Sequence, residues 1–153
     1  MHEFLYAANG ERTVRYGGTL LHSTYNPTRE AQRFASMLSR KRCYVLLGEG
    51  LGYLAIALRN RFPNARLLSL HPSPLLAQEA STAPGEHSAP SEKDELRSLV
   101  WSSLGPEAAY GFEIVPWEPA AGAAAHWFTT VQRRLLEIAR EWHDSLLSTG
   151  YFG

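Results

Sequence analysis

The chain has 153 residues, 44% of them hydrophobic and 20% charged, which suits one ordinary folded domain over residues 1–153. Fifteen basic and fifteen acidic side chains cancel, so no long-range field draws the chain to nucleic acid or to an anionic membrane. The single cysteine, Cys43, excludes an internal disulfide, and no window reaches the roughly 18 apolar residues of a membrane span, so we expect a cytoplasmic protein.

The first predicted unit is a small antiparallel β-meander over residues 4–23. Its alternating apolar and polar residues are interrupted by an Asn-Gly and a Gly-Gly dipeptide, both typical of hairpin turns. Asn26 can then cap a helix that has Pro27 in its first position. The apolar stripe that follows predicts a helix over about 27–40.

The next stretch, CYVLLGEGLGYLAIALRNRFPNARLLSL, predicts one strand–turn–helix–strand unit. A wholly apolar run at 43–48 indicates a strand covered on both faces, and apolar spacing indicates a helix from Gly52 to Phe62. A second apolar run at 65–70 predicts a parallel neighbour, reached by a right-handed crossover. We therefore expect an α/β fold, a Rossmann-like three-layer sandwich with a mostly parallel sheet, whose βαβ core spans 27–117.

The chain after this unit has weaker apolar patterns. Residues 80–91 are rich in Pro, Ser, Ala and Glu and have no apolar period, so we expect a mobile surface loop there. Apolar spacing predicts a helix over 92–104 and a third core strand over 110–117. The alanine-rich stretch 118–125 is interpreted as a linker.

A long helix is predicted over 125–147. Bulky apolar residues recur on one side of it at spacings of three and four: Trp127, Val131, Leu135, Ile138, Trp142 and Leu146. Such a stripe is far more often core than a ligand site. Any part of it that stays exposed is the surface on which a protein partner or a missing domain is expected to dock.

Gly48, Gly50 and Gly52 join the predicted strand to the predicted helix. Without Cβ atoms a ligand can approach the backbone, and free N–H groups at a helix start attract anions. The G-x-G-x-G spacing differs from the motifs of dinucleotide folds and phosphate-binding loops, which argues against NAD and ATP. Two interpretations stay open: a turn shaped for packing, or a site for a nucleoside or nucleotide. Glu49 is either a ligand acceptor or an exposed loop carboxylate.

This unit resembles the first motif of class I S-adenosylmethionine-dependent methyltransferases. The resemblance implies S-adenosylmethionine as a cofactor and methyl transfer as an alternative function. In that family the second strand ends in an acid that binds the ribose hydroxyls, whereas this chain has His71 there. Because neutral imidazole accepts a single hydrogen bond, we expect nucleoside affinity to be reduced or absent.

Two short motifs carry a second resemblance. Their residues are His22, Ser23, Tyr25, Asn26, Pro27, Glu30, Ala31, Gly48, Gly50, Leu51, Gly52 and Tyr53. In this order and at this separation they resemble the N-terminal part of the motility-associated factor (Maf) flagellin glycosyltransferases. The match covers about residues 15–75 and is more specific than either motif alone.

The second resemblance implies a function. Members of that family are thought to transfer nonulosonic acids from nucleotide-activated donors onto serine or threonine of flagellin. It implies an N-terminal accessory domain, with a nucleotide or nucleotide sugar as ligand and flagellin as partner. The family's next domain, which contains a Gly-Pro-Ser motif, is absent from this sequence, so we expect the chain not to be catalytic alone.

Neither a metal site nor covalent catalysis is predicted. The six histidines lack His-x-x-x-His and His-Glu-x-x-His spacings. The neighbours His22 and Ser23 do not suggest a nucleophile and its base, because such partners meet through folding. We expect Ser23 to bond within the turn before Asn26.

Overall fold

The computed structural model describes residues 1–90 and 93–149. Their strands form a three-stranded antiparallel sheet and a four-stranded parallel sheet, and helices cover both faces of the parallel sheet. The predicted α/β fold class is therefore confirmed.

The antiparallel sheet is the predicted N-terminal meander. Its strands, in spatial order, are β1 (His2–Tyr6), β2 (Arg12–Tyr16) and β3 (Thr19–Leu20). Val14 and Leu21 are buried and pack with Leu76 of the neighbouring unit. This small apolar cluster fastens the meander to the rest of the domain.

The parallel sheet is the centre of the domain. Its strands are β4 (Cys43–Leu47), β5 (Arg66–Leu70), β6 (Glu86–Ser88) and β7 (Glu113–Pro116). Their spatial order is β6-β5-β4-β7. Every residue of β4 is buried, and successive side chains join opposite clusters: Tyr44 and Leu46 on one face, Cys43, Val45 and Leu47 on the other.

Six α-helices in the described residues complete the fold. They are α1 (Pro27–Ser36), α2 (Tyr53–Arg61), α3 (Pro74–Glu79), α4 (Lys93–Leu104), α5 (Glu118–Ala123) and α6 (Ala125–Thr149). Helices α1 and α2 pack against the sheet face that presents Tyr44, while α4 and α6 pack against the opposite face. The result is three layers, as the sequence predicts.

The predicted loop over 80–91 contains strand β6, so the loop prediction is wrong for residues 86–88. Leu68, Ser69 and Leu70 of β5 pair in parallel with these three residues. An edge strand of this length is held by backbone hydrogen bonds and needs no apolar period, so the pattern gave no signal. Residues 91 and 92, where this segment ends and the next predicted helix begins, lie outside the described residues.

Three other predicted boundaries differ from the structure. The expected linker over 118–125 contains α5, a helix too short and too rich in alanine to show periodicity. The helix expected over 27–40 ends at Ser36, where the Met37 N–H turns back to the Phe34 carbonyl and Arg61 binds the carbonyl oxygens of Ala35 and Leu38. The strand expected over 110–117 is shortened because Pro106–Tyr110 forms a 3₁₀ helix.

Helix α6 confirms the prediction of a long C-terminal helix. Leu135 and Ile138 are fully buried, and the Trp142 ring lies edge-on to Trp101 at 5.6 Å between centroids. Most of the apolar stripe is thus core, while Leu136 on the outer side is 57% exposed. Of the helices in the described parts of the chain, none combines the length and apolar character that crossing a membrane requires.

Candidate functional site

The carboxyl edge of the parallel sheet is where α/β folds bind ligands, at the point where the strand order reverses. Here that point lies between β4 and β7, since the chain runs from β4 outward to β5 and β6 and then returns to β7. Three segments meet there: the turn Gly48–Gly52, the β7–α5 junction, and the connection from β3 to α1.

The glycine turn has the strand–turn–helix position that the sequence predicts. Gly48, Gly50 and Gly52 have φ of +75°, +75° and +97°, in the left-handed region. Other residues adopt this conformation at a cost of about 1–2 kcal/mol, so the backbone requires glycine at all three positions.

The space beside each glycine is filled by this chain's own groups. A Cβ on Gly48 or on Gly50 would overlap Ala120 of α5 or the His22 ring, respectively. A Cβ on Gly52 would lie 2.6 Å from the Cβ of Ala83. The missing side chains therefore admit neighbouring protein atoms, and this geometry favours the packing interpretation of the turn.

Glu49 is fully buried and caps helix α2. One carboxylate oxygen accepts the Ala55 N–H at 2.8 Å, and the other accepts the Ser69 hydroxyl. The N-cap residue Gly52 has no side chain to do this. Burial raises the pKa of the Glu49 carboxyl, against the opposing effect of the Ser69 hydrogen bond. Glu49 thus occupies the position where a helix N-terminus ordinarily receives a ligand's anionic group, and of the two alternatives for this residue the exposed loop carboxylate is wrong.

His71 is fully buried and is held away from solvent by β6. Its backbone N–H donates to the Ser88 carbonyl, and its Nε2 lies 3.1 Å from Nδ1 of His87. Nε2 of His87 faces two backbone carbonyls, so we assign the hydrogen of His87 to Nε2 and the hydrogen shared by the two rings to His71. Burial lowers the pKa of His71 to about 3, so the ring is neutral and inaccessible to a ribose.

His22 connects the glycine turn to the N-terminal meander. Its Nε2 accepts the Leu51 N–H at 2.9 Å, so the ring hydrogen is on Nδ1, for which the described residues offer no partner. Burial lowers the pKa of His22 to about 3. Its ring lies edge-on to Tyr53 at 4.9 Å, and the Tyr53 hydroxyl donates to the Arg12 carbonyl. The structure therefore brings together His22, Tyr53 and Gly50 from the two sequence motifs.

The other residues of the motif that begins at His22 build the start of α1. The Ser23 hydroxyl oxygen accepts the N–H groups of Tyr25 and Asn26, as the sequence predicts. Asn26 accepts the Arg29 N–H as the helix cap, and Pro27 is buried in the first position. These residues have a sufficient structural role in ending the meander and starting the helix.

An open cleft of about 730 Å³ lies next to this motif, between α1 and the β7–α5 junction. It is lined by Ser23, Tyr25, Asn26, Arg29, Glu30, Arg33, Phe34, Met37, Trp117, Glu118 and Pro119. Its size falls within the range of ligand-binding clefts. Sequence reasoning missed it; the available signal was the pair Arg29 and Arg33, which one helical turn places on the same face.

The buried Trp117 forms the floor between the cleft and the glycine turn. Its indole N–H donates to the Leu21 carbonyl at 2.7 Å, and the Phe34 ring lies edge-on to it at 5.3 Å. The predicted residues Glu49 and His71 are fully buried and do not line the cleft. Within the described residues, no group of three or more His, Cys, Asp or Glu side chains is arranged to hold a metal ion.

No family model, curated protein or solved structure matches this chain. A functional assignment therefore depends on the geometry of the carboxyl edge and on the two sequence motifs.

Proposed function

We propose that the chain is a recognition module: the N-terminal accessory domain of a Maf-like glycosyltransferase, which binds a protein partner in the cleft beside α1. The chemistry belongs to another domain or chain. The observation that carries the proposal is the contrast at one sheet edge, where the glycine turn is closed by Ala120 and His22 while the neighbouring cleft is open.

The cleft has the composition of a surface that binds a polypeptide. Tyr25 and Met37, at opposite ends of α1, are each 75% exposed, and Phe34 and Trp117 form an aromatic base between them. Exposed aromatic and methionine side chains are enriched at protein interfaces. Flagellin, the partner implied by the motif resemblance, is the first candidate, and a cytoplasmic location agrees with the buried free thiol of Cys43.

The alternative, a methyltransferase-like nucleoside site at the glycine turn, receives less support. A nucleoside there needs the space that Ala120, His22 and Ala83 occupy, and its anionic or polar groups need the helix N-terminus that Glu49 caps. Titration calorimetry with S-adenosylmethionine and with cytidine monophosphate tests this directly. We expect no binding at micromolar concentration, and micromolar affinity for S-adenosylmethionine would reverse the ranking.

The recognition role is tested with the purified full chain and monomeric flagellin encoded in the same genome. We expect flagellin to shift the NMR signals of Tyr25 and its neighbours, and the double variant Tyr25→Ala, Met37→Ala to weaken binding at least about tenfold. Tyr110→Ala is the matched control, since Tyr110 is 79% exposed and lies outside the cleft. Equal loss in the control, or no binding to the native chain, contradicts the proposal.

A further inference from the structure

We infer that the cleft beside α1 takes an extended peptide segment in which carboxylates alternate with uncharged residues. This inference rests on the proposed recognition function and names the class of segment recognised. It follows from the positions of Arg29 and Arg33 on one wall and of Glu118 on the other.

Arg29 and Arg33 are exposed on the cleft side of α1 and form no ion pair with any residue whose side chain the structure describes. Helix stability does not account for Arg29, because a cation in the first turn lies at the unfavourable end of the helix dipole. Both guanidinium groups are therefore available to a partner's carboxylates, which they can bind through paired hydrogen bonds.

The first backbone N–H groups of α1 are already occupied. Thr28 N–H donates to Glu11, Arg29 N–H to the Asn26 side chain, and Glu30 N–H to the Asn26 carbonyl. A phosphate or other small anion consequently has no free amide to bind at this helix end. Anionic side chains that reach the outer guanidinium groups fit the site better than an anion seated on the helix terminus.

The spacing of the two arginines matches an extended chain. Residues four apart on a helix have Cβ atoms about 5–6 Å apart. Residues two apart on an extended strand are about 6.5–7 Å apart and point to the same side. Carboxylates at alternate positions of a peptide can therefore reach Arg29 and Arg33 together, since the long arginine side chains absorb the difference.

The opposite wall sets the identity of the intervening residues. Side chains between the two carboxylates point toward Trp117, Glu118 and Pro119. A carboxylate there would face that of Glu118, whereas an apolar residue packs against Pro119. The other acid of the cleft, Glu30, accepts the Ser23 N–H at 2.8 Å. A peptide with two adjacent acidic residues therefore binds the cleft less tightly than a peptide with two alternating ones.

Two fluorescein-labelled peptides of identical composition test the inference by fluorescence anisotropy: Ser-Glu-Leu-Glu-Leu-Ser and Ser-Leu-Glu-Glu-Leu-Ser. We expect the alternating peptide to bind about fivefold more tightly at low ionic strength, and Glu118→Gln to narrow that ratio. The double variant Arg29→Gln, Arg33→Gln should weaken the alternating peptide about tenfold. The control double variant Arg133→Gln, Arg140→Gln removes two exposed charges of α6 and should change the affinity for the alternating peptide less than about twofold.

The outcomes separate this inference from the recognition function. Equal affinity for the two peptides, or for an alternating peptide with Gln in place of Glu, overturns the charge pattern while leaving peptide recognition intact. Failure of both peptides to bind, with flagellin still shifting the Tyr25 signals, likewise overturns only the inference. Failure of the peptides and of flagellin overturns both.

Discussion

A single added methyl group distinguishes a turn that packs from a turn that is open to a ligand. Gly50→Ala would place a Cβ against Nε2 of His22, the atom that accepts the Leu51 N–H. Gly10→Ala and Gly18→Ala are matched controls, because these glycines have φ of +89° and +81° and nothing within 4 Å of the added atom. All three substitutions have the same left-handed strain, and only the first has a steric clash.

The expected losses follow from these contacts. Left-handed strain lowers the free energy of unfolding by about 1–2 kcal/mol in each variant. At Gly50 we add about 1–3 kcal/mol for overpacking and about 1 kcal/mol for the weakened bond between His22 and Leu51. The Gly50 variant should therefore lose about 2–4 kcal/mol more than either control, a large share of the about 5–15 kcal/mol of a typical domain.

Urea unfolding followed by circular dichroism at 222 nm measures the three variants against the native chain. Unchanged m-values show that the comparison reports native-state stability. If Gly50→Ala lowers the free energy of unfolding no more than the controls do, the space beside the turn is open and the packing interpretation is wrong. A nucleoside site at the turn is then supported.

Three further predictions concern buried groups. Glu49→Ala should lower the free energy of unfolding by about 2–6 kcal/mol, because it leaves the Ala55 N–H and the Ser69 hydroxyl unsatisfied. Glu49→Gln should lower the free energy of unfolding less, since the amide oxygen remains as an acceptor. Equal losses for the two variants in urea unfolding contradict the capping role of Glu49. The pKa values of His22 and His71, about 3 in the native state against 6.5 ordinarily, mean that the unfolded chain binds more protons between these values. The histidine contribution to stability should be complete above pH 6.5 and fall as the pH drops toward 3, by about 2 kcal/mol for each histidine at pH 5. The raised pKa of Glu49 changes stability in the opposite direction, so the check is NMR of the two imidazole rings, and ring signals that titrate between pH 7.5 and 5 contradict neutral buried rings. Leu135→Ala should cost about 2–5 kcal/mol and its exposed neighbour Leu136→Ala less than about 0.5 kcal/mol, and similar losses would show that the α6 stripe is not core.

Elements with a strong local signal were predictable from the sequence. Strand β4 is apolar throughout because it is covered on both faces, and Asn26 and Pro27 mark the start of α1 in the sequence. Elements that depend on tertiary contacts were not. Strand β6 exists because the edge of β5 is available for pairing, and α5 is positioned by the contact of Ala120 with Gly48. Neither contact leaves a periodic pattern in the residues.

The candidate site shows the same division. The sequence located the glycine turn and both motifs, and the structure brings His22, Tyr53 and Gly50 together. Burial of Glu49 and His71 was not predictable from the sequence. It depends on contacts with Ser69 of β5 and His87 of β6, which are 20 and 16 residues away along the chain and are brought close only by strand pairing. The cleft was missed for a similar reason, since its second wall comes from Trp117 and its neighbours.

Glu49 disfavours ligand binding at the N-terminus of α2, because it already occupies a backbone N–H group there. A ligand that takes the N-terminus of α2 must displace a carboxylate already bound to Ala55 and Ser69. The ligand then satisfies the Ala55 N–H, but the displaced Glu49 carboxylate and the Ser69 hydroxyl lose their partners, which costs about 2–6 kcal/mol, and each 1.4 kcal/mol is a factor of ten in affinity. The turn is thus weakened as a site by about one to four orders of magnitude before any steric cost from His22 is counted. The cleft beside α1 has no such competitor for Arg29 and Arg33 within the described chain, so recognition is favoured there.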